Sequence, residues 1–191
     1  MSKRHTVIRA MHDLGAAAWF GGSLMGAIGL NGASQSVSDP TQRTRVASSG
    51  WARWSPVSAA AIGAHVIGGL GLIVTNRDRV QKQAGVTANT TVKTLLTAAA
   101  VGTTAYSGVL GAKVAAAGDV PAEGGAVPSD STPSEIATAQ QQLRALQWAT
   151  PALTGMIIAL GAQQGEQQRP SQILRGVGVK AARAASDRVR H

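Results

Sequence analysis

Long uncharged stretches alternate along this chain with short segments that carry its charges. No Asp, Glu, Lys or Arg occurs in residues 14–38, 54–76, 94–112 or 145–165. Each stretch is long enough to cross a hydrocarbon layer of about 30 Å, for which roughly 20 helical residues suffice. The pattern therefore predicts an all-α protein, a bundle of four transmembrane helices at 14–33, 55–75, 94–113 and 146–163.

The basic residues between these stretches predict the orientation of the bundle. Cytoplasmic segments of membrane proteins are enriched in Lys and Arg. With the N-terminus inside, thirteen of the 18 Lys and Arg residues fall on the cytoplasmic side. The other five fall outside: Arg43, Arg45, Arg53, Lys113 and Arg144. We therefore expect a protein of the cell (inner) membrane with both termini in the cytoplasm (N-in/C-in).

Three tryptophans support this orientation, because indoles favour the membrane interface. Trp51, Trp54 and Trp148 would all lie at the outer ends of predicted helices. The chain then divides into a basic N-terminal tail over 1–13, a four-helix membrane domain over 14–165 and a basic C-terminal tail over 166–191.

The segment before the fourth predicted helix is rich in Gly and Pro, which predicts a flexible outer loop over 114–132. It ends in Thr132, Pro133, Ser134 and Glu135, a capping box with proline at the first helical position. A helix should therefore begin near 133, extend outside the bilayer and continue into the fourth span. Pro151 predicts a kink in it.

The C-terminal tail becomes amphipathic if it is helical. Its apolar face would hold Ile173, Leu174, Val177, Ala181 and Ala184. Its basic face would hold Arg175, Lys180, Arg183 and Arg190. Such a helix could rest on anionic lipid of the inner leaflet. The alternative is a solvated basic tail.

Small residues recur at the spacing of helix-packing motifs, which let two backbones approach closely. Aromatic residues make up only 3% of the chain, whereas 23 residues are glycine. The predicted packing positions are Gly15, Ala18, Gly22, Gly26, Gly29, Ala60, Ala64, Gly68 and Gly108, with Ala100 and Thr104 beside Gly108 in helix three. Most of these positions are expected to pack helices against one another within the bundle, and the rest to contact a membrane-protein partner or another copy in a homo-oligomer.

Polar side chains occur near the middle of every predicted span. They are Ser23, His65, Thr103, Thr104 and Thr154, with Tyr106 about one turn further out. An ionisable residue inside a span is a functional hypothesis by default. The set could be a structural lock, a small binding or proton site, or a coincidence of residues that bond their own helix backbone.

Several kinds of chemistry do not fit the pattern. The glycines of 15–29 match no phosphate-binding loop, and the chain has no cysteine. His12 and His65 would differ in depth by about 15 Å, too far apart to share a haem or a metal ion. A signal peptide cut after Ala33 would leave Asn31 where a small residue is required. With no pair of membrane-facing carboxylates, we expect no enzyme, cofactor or metal.

The first predicted helix carries His12, Trp19, Phe20, Gly21 and Gly22. This set resembles the first helix of several small multi-pass families, among them the copper-resistance-D-like membrane proteins. Copper handling is not carried over, since the metal-binding features of that family are not evident here. With "GWARWSP", "TAYSGVLGAKV" and "GAQQGEQQRP", the whole chain is similar to conserved small membrane proteins of actinobacteria without an assigned activity. The resemblance implies a membrane location and no mechanism.

The sequence therefore favours a non-enzymatic integral membrane protein, an accessory or scaffold subunit of a larger envelope or transport complex. A second interpretation is a small transporter or ligand-binding membrane protein that uses the polar layer around His65. A third is a nucleic-acid-binding protein, suggested by the net charge of +9. Its basic residues flank uncharged spans and are not interleaved with aromatics, so we expect no nucleic-acid partner.

Overall fold

The computed structural model describes residues 5–77 and 84–167, which are mostly helical, as predicted. Its helical elements are α1 (Thr6–Met25), a π-helical turn (Gly26–Leu30), α2 (Asn31–Gln35), α3 (Pro40–Thr75), α4 (Ala84–Ala116) and α5 (Ser134–Gln167). Two short strands, β1 (Ala122–Gly124) and β2 (Val127–Pro128), lie between α4 and α5. The chain divides into two compact units, 1–158 and 159–191. In the second unit the structure describes only the last turns of α5, so the predicted tail helix over 173–190 lies outside the described residues.

Three helices of the described chain are long and apolar enough to cross a membrane. They are Pro40–Thr75, Thr87–Ala116 and Ser134–Gln163, which contain the second, third and fourth predicted spans. Their surfaces expose large apolar side chains, among them Ile67, Leu70, Val74, Leu95 and Val109. Surfaces of this kind suit lipid better than water. The helices are therefore compatible with an integral membrane protein.

The first predicted span, 14–33, differs from the other three. It runs through α1, the π-helical turn and α2, so its residues do not form one uninterrupted α-helix. In addition, α1 begins at Thr6 and so includes Arg9, His12 and Asp13. This helix is not among the three membrane-span candidates. A fourth span here stays a prediction.

The helix α3 begins well before its predicted span. Its 36 residues correspond to about 54 Å, far more than a bilayer core requires. Asp39 caps the helix by accepting a bond from the Thr41 amide at 2.9 Å, and Pro40 occupies the first turn. The Thr41 hydroxyl and amide together hold the pKa of Asp39 below its usual value. The sequence did not predict this part of the helix, because charged residues such as those between 43 and 53 are typical of a loop.

The predicted flexible outer loop contains an antiparallel hairpin of β1 and β2. Ala122 and Ala126 are fully buried. The hairpin backbone is held from two sides, since the Gly125 amide donates to Ser34 Oγ at 3.1 Å and Gln140 Nε2 donates to the Gly124 carbonyl at 3.3 Å. These buried contacts hold part of the predicted outer loop against the helices as a short hairpin, and the flexibility of the loop stays a prediction.

The predicted start of the fourth helix is correct to within about one residue, because α5 begins at Ser134. The capping box itself does not form. Thr132 Oγ1 accepts a bond from the Ser129 amide and donates to the Pro121 carbonyl, so it holds the base of the hairpin. Glu135 forms an ion pair with Lys113 at 2.6 Å. Pro151 lies inside α5, and the kink stays a prediction.

The predicted small-residue positions separate into two groups. Gly15, Gly22, Gly26 and Gly68 pack tightly where α1 and the π-helical turn meet α3, and Ala100 of α4 is fully buried in a cluster with Trp19. The remaining Gly and Ala positions do not: Ala18 and Ala60 are exposed, Ala64 is half-buried, Gly29 approaches only Met25, and Gly108 faces open space. The buried face of α1 includes Trp19 where the pattern placed Ala18. The four-residue repeat of the first predicted span therefore lies on the contact face at Gly22 and Gly26 and leaves it at Ala18.

Candidate functional site

The imidazole rings of His12 and His65 stack on each other where α1 crosses α3. Their centroids are 4.1 Å apart and their planes differ by 20°. His12 Nδ1 bonds the His65 carbonyl and His65 Nδ1 bonds the His12 carbonyl, both at 3.0 Å. A carbonyl only accepts, so each Nδ1 carries the hydrogen and each neutral ring keeps Nε2 as an acceptor. The expected difference in depth between these histidines is wrong.

The two helix backbones touch directly beside this pair. A Cβ on Gly15 would lie 2.6 Å from the His65 amide nitrogen, and a Cβ on Gly68 would lie 2.6 Å from that of His12. Each glycine comes three residues after its histidine, in "HDLG" and "HVIG". The two segments therefore make reciprocal contacts, and the repeated His-x-x-Gly spacing is the sequence signal that could have predicted them. We call these four residues the histidine–glycine crossing.

Other side chains extend the crossing to α4. The Thr97 hydroxyl lies 3.3 Å from His65 Nε2, to which it donates. Trp19 meets the His65 ring edge-on, with centroids 6.2 Å apart, and its indole N–H donates to Thr104 Oγ1 at 3.1 Å. His65 and Trp19 are both fully buried. One buried aromatic cluster thus connects α1, α3 and α4.

The predicted polar layer does not form one cluster. Ser23 donates to the Phe20 carbonyl of its own helix, and Thr154 to that of Thr150. Thr103 Oγ1 accepts a hydrogen bond from the Thr150 hydroxyl at 3.2 Å, whereas Thr104 Oγ1 accepts one from the Trp19 indole. Tyr106 is 48% exposed and donates to Gln142 Oε1 at 3.0 Å. The structure places His12, and not Ser23, beside His65, because α1 is displaced along α3 relative to the predicted alignment.

A cavity of about 290 Å³ lies among α1, α3, α4, α5 and the hairpin. Three of the four tryptophans line it, Trp19, Trp51 and Trp54, together with serine and threonine hydroxyls. No residue among those that line it is charged. We call it the tryptophan-lined cavity.

The cavity follows from where the small residues lie. The rings of Trp54 and Trp51 rest on Gly22 of α1 and Gly26 of the π-helical turn, where a side chain would overlap them. On the opposite wall, α4 contributes Gly108 and Gly111, and a Cβ on either would meet nothing within 4 Å. The indoles are thus held against α1, and α4 has no side chain to fill the space they leave.

A chain of hydrogen bonds orients one polar group on the cavity wall. Trp51 Nε1 donates to Asn31 Oδ1 at 3.3 Å, and Asn31 Nδ2 donates to Gln147 Oε1 at 2.6 Å. An indole N–H only donates, so it fixes which way the Asn31 amide points, and through it that of Gln147. The NH₂ of Gln147 is left without a hydrogen bond to the part of the chain that the structure describes.

Neither region has the make-up of a metal centre. Within residues 5–77 and 84–167, no three His, Asp or Glu side chains are grouped closely enough to hold an ion. The charged groups near the histidine pair are Arg9 and Asp13 on α1 and Lys93 on α4.

Comparison with known proteins finds no matching family model, no similar curated protein and no similar solved structure. The resemblances in the first helix and along the chain therefore stay predictions. The function has to be inferred from the geometry of the two regions described above.

The structural-lock hypothesis for His65 is tested by His65→Leu. This variant loses the bonds to the His12 carbonyl and the Thr97 hydroxyl, so we expect the free energy of unfolding to fall by about 1 to 2 kcal/mol. His12→Leu combined with His65→Leu should cost less than the sum of the single changes, because the two residues share one interaction. Denaturant unfolding in detergent measures both, with His5→Leu as the control. If His65→Leu leaves the free energy of unfolding unchanged, the structural-lock hypothesis is wrong.

Proposed function

We propose that this chain is a non-enzymatic, multi-pass membrane protein that binds a small lipophilic molecule in the tryptophan-lined cavity. The observation that carries the proposal is the cavity itself, formed between apolar helices and lined by three indoles and neutral side chains. Ligand sites are typically apolar and aromatic concavities with a few polar groups that orient the ligand. The proposal keeps the ligand-binding interpretation of the sequence and moves its site from His65 to the outer half of the bundle.

The volume of the tryptophan-lined cavity supports its assignment as a ligand site. A dry cavity of roughly 150 Å³ is enough to hold benzene. The present cavity, at about 290 Å³, is nearly twice as large, so it suits a molecule of about two rings. The role of an accessory or scaffold subunit in a larger complex stays a prediction, because none of the contacts described above points to a partner surface.

The proposed membrane arrangement has four spans, with α1 and the π-helical turn forming the first and both termini in the cytoplasm. The excess of Lys and Arg on the inner side supports it. The location is the inner membrane, where the basic tails would meet anionic lipid.

Cysteine labelling tests this arrangement, since the natural chain has no cysteine. Ser131→Cys, exposed between β2 and α5, should react in spheroplasts with a maleimide that cannot cross the membrane. Ser2→Cys should react only after lysis. Equal labelling of the two positions in intact spheroplasts would contradict the arrangement.

Ligand binding is tested by extracting small molecules from protein purified in mild detergent. The wild-type protein should carry a lipophilic compound that mass spectrometry detects. Gly111→Leu should lose that compound, because the new side chain fills the cavity. Gly102→Leu is the matched control, since Gly102 lies on the same helix in equally open space and does not line the cavity. If all three preparations have the same content, the proposed function is wrong.

A further inference from the structure

The residues that line the tryptophan-lined cavity include hydrogen-bond donors and acceptors. The first of them is the NH₂ of Gln147, which the Trp51–Asn31–Gln147 chain orients as a donor with no partner among the described residues. Gln147 lines the cavity, and a donor that meets no acceptor there costs free energy in a membrane, where water is scarce. A ligand oxygen would satisfy it.

Two helix prolines leave carbonyls of cavity-lining residues without their usual helical donor. Pro56 in α3 and Pro151 in α5 each come four residues after a residue that lines the cavity, Ala52 and Gln147. Proline has no amide hydrogen, so the carbonyls of Ala52 and Gln147 lose the donor that a regular helix would give them. Non-helical bonding of this kind is tolerated at membrane depth where the freed groups face protein or a cavity.

A third unpaired group is the Ser107 hydroxyl, which is buried without a hydrogen-bond partner on the described chain. Serine in a membrane helix commonly bonds the carbonyl one turn earlier, as Thr154 does to Thr150. Ser107 belongs to the same cavity wall as Gly108 and Gly111. The residues that line the cavity therefore include both hydrogen-bond donors and acceptors beside its indoles and aliphatic side chains.

Resting on the proposed function, we infer that the ligand of the tryptophan-lined cavity is an uncharged aromatic alcohol of about two rings. Its hydroxyl accepts a bond from the Gln147 NH₂ and donates to a carbonyl freed by proline. Its rings pack against the indoles of Trp51 and Trp54, where offset or edge-on aromatic contacts are favourable. An ionised ligand is excluded by chemistry, because no charged side chain among the lining residues could pair with it.

Three probes with the same ring system separate these requirements. β-Naphthol has the rings and the hydroxyl, naphthalene has the rings alone, and naphthalenesulfonate carries a fixed negative charge. Binding is measured by titration calorimetry on the full-length protein in detergent, with empty micelles as the blank. We expect β-naphthol to bind about tenfold more tightly than naphthalene, as one hydrogen bond in a buried site requires. Naphthalenesulfonate should not bind.

Two variants assign the binding to the cavity and to the amide. In Gln147→Leu the tenfold preference for β-naphthol should disappear, while naphthalene binds as in the wild-type protein, which also shows that the cavity is intact. Gly111→Leu should bind neither compound, and Gly102→Leu should bind both normally.

The inference is overturned if β-naphthol and naphthalene bind the wild-type protein equally, if Gln147→Leu keeps the preference, or if naphthalenesulfonate binds as well as β-naphthol. In each of these cases, sensitivity to Gly111→Leu would still uphold the cavity as a ligand site of another class. It is also overturned if no probe binds, and the extraction experiment then decides separately whether the proposed function stands.

Discussion

The direct backbone contact between α1 and α3 at the histidine–glycine crossing determines the rest of the bundle. Gly15 and Gly68 remove the side chains that would keep the helices apart, and His12 and His65 then bond each other's carbonyls at 3.0 Å. In lipid, helices gain little from hydrophobic burial, so close packing and hydrogen bonds decide which surfaces associate. The crossing supplies both at one point, and it fixes how far α1 lies along α3.

The positions of the indoles follow from that alignment. Gly22 and Gly26 come opposite Trp54 and Trp51, whose rings occupy the space that a side chain would take. Trp19, one helical turn beyond Gly15, reaches across to Thr104 on α4. The tryptophan-lined cavity lies between these rings and the glycines of α4. A shift of α1 by a few residues would place the indoles against bulkier positions and close it.

The sequence predicted what depends on average composition and failed where individual contacts decide. Uncharged runs located three apolar helices, and the proline and serine at 133–134 located the start of α5. The small residues of the first predicted span were recognised as packing positions, and Gly15, Gly22 and Gly26 pack against α3. Each of these predictions rests on residues that lie close together in the sequence.

The candidate site could not be predicted in the same way, because it is formed by contacts between residues that lie far apart along the chain. Hydropathy alone placed His65 level with Ser23, because it takes each uncharged run as centred in the bilayer and ignores pairwise contacts. The hairpin was missed because "EGGAV" carries no strand signal, and its burial comes from partners on α2 and α5. The unpaired amide of Gln147 could not be predicted, since it results from a bond to Asn31, 116 residues away.

Disulfide trapping tests the alignment of α1 and α3 most directly. A Cβ on Gly50 would lie 2.6 Å from a Leu30 methyl carbon and 3.2 Å from Leu30 Cγ, so Leu30→Cys with Gly50→Cys has the proximity that a disulfide needs. If Ser23 were level with His65, Leu30 would instead lie level with Ser58, seven residues along each helix. The histidine–glycine crossing predicts that the Leu30→Cys, Gly50→Cys pair oxidises readily in native membranes, whereas Leu30→Cys with Ser58→Cys does not. The reverse result would contradict it.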